Sequence, residues 1–356
     1  MEQIYIPKQD YKVLVCCFTY NQSKYIEDAL NGFAMQQTEF PFVCLVMDDC
    51  STDGEQEVIK AWMERECDMV KAEYIDIELS NVILVPHKSN ISCTFAFYFL
   101  KQNLYGAGTK KMNMVYPWRE CCEYEAMCEG DDYWIVPDKL EKQVKVMDEK
   151  PSITLCFSDV NDQFEDDSKL IRNVSNYYNN EKLPNKKKEL FYYILLGKCR
   201  IQTLTTLFRI ESLKKIKPNN KAFMMGDTPL WLDLSQQGNF IFLPYITGVY
   251  RRHEGSACRD PKTIKQFRFS MYDMRIYYCN KYSYEIPFSI RKLYCESLVD
   301  CIYNNINIDI NIDINDNEQI NKINSFQKFI IKKSININLL KLIVRLIWKI
   351  EHILIK

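Results

Sequence analysis

Histidine is scarce in this chain: there are three in 356 residues, against 47 acidic side chains. With no Cys/His spacing of zinc type to accompany them, a structural zinc site is excluded, and a histidine that falls inside a motif becomes informative. No GxGxxG follows the first apolar run, and Thr19-Tyr20-Asn21-Gln22 contains no glycine. That absence argues against a dinucleotide oxidoreductase and against the triphosphate loop of a nucleotidyltransferase. No segment holds 18 to 20 uncharged apolar residues and the first eight residues lack a basic start with a long apolar core, so neither a membrane span nor a signal peptide is expected. Charge of one sign is also missing: 46 basic residues offset 47 acidic ones to a net −1, which gives no global field for nucleic acid. The 15 cysteines are scattered, without CxxC, and several (Cys16, Cys44, Cys128, Cys156) sit in apolar runs where a thiol behaves as a small hydrophobe; a reducing cytosol fits best.

What is present is a strand-and-helix alternation. Val13 to Phe18 and Phe42 to Met47 are short continuous apolar runs, the pattern of strands buried on both faces. The first is followed by Ser23 as a helix cap, with Ile26, Leu30 and Phe33 on the buried side; the second by a helix from about Glu55 that turns Val58, Ile59 and Trp62 inward. Val82 to Val85 reads as a third strand, with a helix from about Ser92 to Gln102. Tyr124 to Cys128 is a strand and Pro137-Asp138 opens a helix carrying Leu140, Val144 and Met147. Ile153 to Phe157 is a further strand, and residues 159–189 read as a polar surface excursion. After a helix near Phe191 to Leu196 come strands at Thr203 to Phe208 and Phe240 to Leu243, separated by a helix at Leu230 to Gln236. The 109–122 stretch resists assignment. Such alternation argues for right-handed crossovers and a mainly parallel sheet, in which ligands sit outside the carboxyl ends of the strands. Tyr20, Asp49 and the pair Asp131-Asp132 fall at three such ends and are expected to converge on one crevice.

Four stretches carry the chemistry: Phe18-Thr19-Tyr20-Asn21-Gln22, Asp48-Asp49-Cys50-Ser51-Thr52-Asp53-Gly54, Glu129-Gly130-Asp131-Asp132-Tyr133-Trp134 and Tyr250-Arg251-Arg252-His253-Glu254-Gly255-Ser256. Acids crowded at a strand end are costly to desolvate and usually bind a cation. In this order the four resemble the inverting family 2 glycosyltransferases of the GT-A fold, over roughly residues 11 to 256. The resemblance implies an α/β, GT-A type, Rossmann-like sheet flanked by helices, with a helical C-terminal extension. It implies a nucleoside-diphosphate sugar donor, UDP-linked by preference, and a divalent Mn2+ or Mg2+ ion to stabilise charge growing on the leaving phosphate.

By the same resemblance, Asp131 and Asp132 share the metal and ribose contacts, and His253 completes the metal shell. Asp49 hydrogen-bonds an imide-bearing base on which the ring of Tyr20 packs. Arg251 or Arg252 neutralises the diphosphate, and Asp227 is the base that takes the proton of the acceptor hydroxyl. Gly226 stands where the family carries a glutamate, and Ser92 replaces a glycine in the family's Asn-x-Gly loop at Asn90. Asp53 and Ser51 read as turn and cap residues.

The expected organisation is a transferase domain over 1–256, with a nucleotide-sugar half at about 11–135 and an acceptor half at about 136–256. A helical extension over 257–303, a low-complexity linker over 304–327 and a basic amphipathic helix over 328–356 follow. That last segment has seven Lys or Arg against one acid; it lies on an anionic membrane surface or packs on the protein's own core. The implied setting is polysaccharide or lipid-linked glycan assembly, cytoplasmic and peripheral on the inner face of the cell membrane, with no nucleic-acid partner. A nucleotidyltransferase on a related sheet and a non-catalytic membrane-associated scaffold are the alternatives.

Overall fold

A computed structural model of the chain describes residues 5, 7–105, 109–164, 169–172, 178–219, 221–253, 261–304 and 306. They fall into two compact units, 1–220 with 230–253 and 221–229 with 254–356. The Asn-Ile-Asp stretch and the basic segment 328–356 lie outside the described residues.

The first unit is a helix-flanked sheet. In chain order it runs β1 (Tyr11–Thr19), α1 (Ile26–Ala34), β2 (Phe42–Asp48), α2 (Glu55–Glu66), β3 (Glu73–Ile77), β4 (Ser80–Pro86), β5 (Cys93–Leu100) and α3 (Thr109–Glu120). It continues through β6 (Cys122–Met127), β7 (Tyr133–Trp134), α4 (Lys139–Glu149), β8 (Ile153–Phe164), β9 (Leu170–Arg172), α5 (Lys187–Leu195), β10 (Thr206–Arg209) and α6 (Ile210–Lys214). Helix α7 (Asp227–Leu234), which enters this unit at Leu230, and β11 (Asn239–Arg252) close it. The strands lie in the order β3-β4-β5-β2-β1-β6-β10-β8-β11-β7, with β9 on β8. β5, β2, β1 and β6 are mutually parallel, and so are β8 and β11; β10 enters antiparallel between β6 and β8.

The unbroken apolar runs of β1 and β2 are explained by two cores. Val13, Val15 and Cys17 point to one face, with Phe33, Ile59 and Trp62; Leu14 and Cys16 point to the other, with Tyr98, Val115 and Trp118. Alternate residues of a strand face opposite sides, so a strand covered on both sides needs apolar residues throughout.

Four expectations are corrected. The stretch expected as a helix over 92–102 forms strand β5 (Cys93–Leu100) instead: Phe95, Phe97 and Phe99 stack along one face with centroid spacings of 5.3 and 6.3 Å, a period of two that suits a pleat. Consequently β3, β4 and β5 are joined antiparallel, without a crossover helix. Ser23 does not cap α1; its N–H donates to Asp53 Oδ2 (3.0 Å) and the helix begins after Tyr25. The polar excursion expected over 159–189 starts later, because β8 continues to Phe164 and keeps Asp159 and Asp162 buried. The unassigned 109–122 stretch is mostly helix α3.

The second unit contains α8 (Ile264–Lys281) and α9 (Phe288–Tyr303), packed together. Along α8, Ser270 Oγ accepts from Met224 N–H (3.0 Å), Asp273 pairs with Lys221, and Tyr277 and Tyr278 pack on Phe223. These contacts moor the 221–229 loop to the helix. Among the described residues no helix is long and apolar enough to cross a membrane.

Candidate active site

β2, β1 and β6 are neighbours, so their carboxyl ends place Asp49, Tyr20 and the 128–132 stretch side by side. The loops there are sewn together by Glu55, the fully buried first residue of α2. Its carboxylate accepts from the Thr19 hydroxyl, Gln22 N–H (2.8 Å) and the Ser51 hydroxyl (2.8 Å). Further stitches are Asn21 N–H to Ser51 Oγ (2.9 Å) and Thr52 N–H to Asn21 Oδ1 (2.8 Å). Asn21 and Cys50 both adopt left-handed backbone, with φ of 54° and 61°. Such strain persists where surrounding contacts over-determine it, and it gathers at functional loops. Asp53 braces the turn, accepting from Glu55 N–H (3.1 Å) as well as from Ser23, while the N-cap of α2 is Gly54 rather than Asp53 or Ser51. Asn90 braces the sheet by donating to the carbonyls of Ala34 (2.9 Å) and Gln36 (2.7 Å).

Gly130 makes the close approach of β6 to β1 possible: a Cβ there would overlap the Thr19 hydroxyl and the Gln22 side chain. Around it the three acids take three different partners. Glu129 Oε2 accepts from the Thr203 hydroxyl (2.6 Å). Asp131 Oδ2 meets His253 Nε2 at 2.8 Å. Asp132 is buried, and its Oδ1 accepts from Arg251 N–H (2.8 Å). Burial first, then the charges of Asp131 and Glu129, push the Asp132 carboxyl well above the usual range.

Arg251 is held by its own fold. Its guanidinium donates to the Asp131 carbonyl (3.1 Å), pairs with Asp28, and packs 4.3 Å from the Tyr133 ring centroid. Arg252 turns the other way, to Asp162. Asp49 is also engaged: its Oδ1 accepts from Leu104 N–H (2.7 Å) and its Oδ2 pairs with Lys111 of α3. Tyr20 is 45% exposed, leaving a ring face open for stacking. Behind the acidic stretch, Lys139 is wholly buried, with Nζ 4.2 Å from the Trp134 ring centroid and 2.8 Å from Gln143 Oε1.

Asp227 belongs to the second unit, at the first turn of α7, where its Oδ1 accepts from Thr228 N–H (2.6 Å). Burial raises its pKa, with the Thr228 hydrogen bond working against that rise. Among the described residues no three His, Cys, Asp or Glu side chains group as a metal shell. The structure does bring Asp131 and His253 together, and a carboxylate oxygen beside an imidazole nitrogen, at 20% and 12% side-chain exposure, fits one end of a divalent-cation site. Sequence reasoning missed Lys111, Glu55, Thr203 and the Arg200–Asp162 pair, all joined to the site across long stretches of chain.

Acids and an open aromatic ring thus stand at the carboxyl ends of adjacent parallel strands, the place where α/β sheets of this kind bind ligands. The chain matches the family model described as Glycosyl transferase family 2 over residues 14–77, which spans β1 through β3. Residues 14–77 are therefore a family 2 glycosyltransferase segment, set in the mixed, mostly parallel sheet described above. Curated relatives include Rv1520 of Mycobacterium tuberculosis and Mb1547 of Mycobacterium bovis, each 31% identical over 240 residues, covering 67% of this chain and 58% of theirs. The chain thus spans little more than half the length of the curated relatives it matches. Similar solved structures include S. aureus TarS in complex with UDP-GlcNAc, with a TM-score of 0.48, 16% identity and coverage of 82% of this chain and 80% of that one. Another is the mannosyltransferase PcManGT of Pyrobaculum calidifontis with GDP-Man and Mn2+, with a TM-score of 0.47, 13% identity and coverage of 76% and 66%.

Proposed function

We propose that this chain transfers a sugar, with inversion, from a nucleoside-diphosphate sugar, UDP-linked by preference, to a hydroxyl of a glycan or lipid-linked acceptor. The observation that carries the reading is the Asp131–His253 pair at 2.8 Å, beside strand ends that present Asp49 and Tyr20. Asp131 and His253 would hold a divalent cation, Mn2+ or Mg2+, with Asp132 behind them; when bound it supplies positive charge to a leaving diphosphate. Tyr20 stacks on the base and Asp49 accepts its imide N–H. Asp132 anchors the β11 main chain so that His253 meets Asp131, and Arg251 stiffens the same contact from the Asp131 carbonyl. Asp227 is the base, since burial raises its affinity for the proton that an acceptor hydroxyl gives up. In this reading residues 1–256 are the transferase domain and 257–303 a helical extension. The basic segment 328–356 holds the protein on an anionic cytoplasmic membrane surface in glycan assembly.

The test is thermal unfolding of the full chain with UDP, GDP, CDP and ADP, each with and without Mn2+. A ligand at about 100 times its Kd adds about 2.7 kcal/mol, a shift of several degrees. UDP with Mn2+ is expected to give the largest rise, and the Mn2+ increment should vanish in His253→Ala. If no nucleoside diphosphate moves the Tm under any condition, the reading is wrong.

A further inference from the structure

At the end of β11, Arg251 and, one residue past the strand, His253 both reach Asp131, while the intervening Arg252 reaches Asp162 on β8, as side-chain alternation in extended chain requires. There it meets Arg200. The Arg200 guanidinium grips Asp162 with both terminal nitrogens, NH1 to Oδ2 at 3.1 Å and NH2 to Oδ1 at 3.0 Å, and Arg252 adds NH2 to Oδ2 at 2.9 Å. Burial works against the Asp162 charge, yet the hydrogen bonds from Arg200 and Arg252 hold its carboxyl below the usual range.

Among the described residues one carboxylate therefore faces two guanidinium groups, which leaves a unit of positive charge over. Asp162 is shielded at 7% side-chain exposure, while Arg200 and Arg252 are open at 23% and 25%. Arg252 also keeps an Nε–H that is buried and has no acceptor. Asp159, on the same strand as Asp162, is paired with Arg172 (2.6 Å). The two arginines are fixed in place. Both stand over the Tyr250 ring, at 5.2 and 5.7 Å, and Asn180 clamps the Arg200 main chain through both its N–H and its carbonyl, each at 3.1 Å. With its amide turned, Gln202 also accepts from Arg200. Rigid guanidinium forks with spare donors are the usual recognition device for phosphate.

Thr203, three residues after Arg200, touches Glu129, so the cluster adjoins the acidic stretch; yet Arg252 leaves β11 on the face opposite Arg251 and His253. We propose that Arg200 and Arg252 form a binding site for a phosphate group carried by the acceptor. The assignment to the acceptor rests on the glycosyltransferase reading, in which the Asp131–His253 side takes the donor.

The test is titration calorimetry on the full chain in metal-free buffer, with inorganic phosphate, glycerol 3-phosphate and glycerol as probes, and UDP with Mn2+ titrated separately. Both phosphates are expected to bind and glycerol not to. Arg200→Gln and Arg252→Gln should each weaken phosphate about tenfold, and Arg200→Lys, which keeps the charge but loses the fork, nearly as much. Asp162→Asn should tighten phosphate binding severalfold by removing the internal competitor, an effect that an ion network with only a structural role would not give. Because Arg200→Lys and Asp162→Asn are mild, they decide the matter if the glutamine variants fail to fold. Phosphate affinity unchanged in Arg200→Lys, or unimproved in Asp162→Asn, overturns the site; so does binding of inorganic phosphate alone. Displacement of phosphate by UDP in the same metal-free buffer would reassign the cluster to the donor and overturn the acceptor assignment. A wild-type chain that binds glycerol 3-phosphate but no nucleoside diphosphate keeps the site and sinks the glycosyltransferase reading instead.

Discussion

Lys139 offers a sharp test of the packing behind the acidic stretch. Its amine is wholly buried between α4 and β10, donating to Gln143 Oε1 (2.8 Å) and the Thr206 carbonyl (3.3 Å), with the Trp134 ring 4.2 Å away. Burial lowers its pKa from 10.5 to about 7. The unfolded chain therefore holds a proton between about pH 7 and 10.5 that the folded chain does not, so stability rises with pH across that window and is lost as pH falls toward 7. At about 1.4 kcal/mol per unit, the full window is worth about 5 kcal/mol, and the step from pH 7 to 9.5 about 3 kcal/mol. Lys139→Met fills the same space without a titrating group, but leaves Gln143 and Thr206 each short of a donor, at about 1–3 kcal/mol apiece. The variant is expected to lie within a few kcal/mol of wild type at pH 7 and to fall progressively behind as pH rises. Urea unfolding of both proteins at pH 7, 8 and 9.5 measures this. Buried thiols and phenols titrate alike in the two, so the difference isolates Lys139. Stability profiles that stay parallel to within about 0.5 kcal/mol would show that the buried amine remains charged, and the reasoning would fail.

Gly130→Ala drives a Cβ into Thr19 and Gln22; a loss of about 1–3 kcal/mol in urea unfolding is expected, together with weaker nucleotide binding, and an unchanged midpoint would mean the loops can part freely. Lys111→Met should leave the buried Asp49 carboxylate without its cation, destabilising the fold by up to about 3–5 kcal/mol and lowering affinity for UDP more than for ADP in a binding panel. Asp227→Asn should retain donor binding and lose transfer. In wild type, transfer should fall on the acid side at a higher pH than an ordinary aspartate would set, because Asp227 must be ionised to accept a proton and burial raises its pKa. A rate profile flat down to pH 4 would remove Asp227 as the base.

Much of the first unit could be read in advance because its strands announce themselves. β1 and β2 need apolar residues at every position to serve two cores, so Val13 to Phe18 and Phe42 to Met47 stood out, and with them the strand ends that carry Tyr20 and Asp49. β5 is harder to read, because an eight-residue apolar run fits a buried helix segment as well as a strand, and only the spacing of two between Phe95, Phe97 and Phe99 separates the two. Helix α3 stayed opaque for a plain reason: Pro117 lies inside it. Lys111 could not be assigned, since its partner Asp49 is 62 residues away and only the tertiary fold brings them together. The separation of Arg251 from Arg252 was available in principle, because adjacent residues of one strand face opposite ways. What was missing was the knowledge that β11 runs unbroken through both of them.

The same strand decides the question that Glu129, Asp131 and Asp132 pose. Three carboxylates within four residues repel one another unless each is compensated separately, and the compensations differ in kind. Asp132 is tied to a main-chain N–H, a partner that cannot leave, and Glu129 to a hydroxyl of the loop entering β10. Asp131 meets an imidazole, and an imidazole–carboxylate pair exchanges its shared proton for a metal ion more readily than either of the other arrangements does. β11 sets both contacts at once: its Arg251 N–H fixes Asp132 and, two residues on, His253 reaches Asp131. A change that slips β11 against β7 by one residue would turn His253 away and uncover Asp132 together. The pairing of Gly248 with Trp134 is therefore as much a part of the candidate site as the acids are.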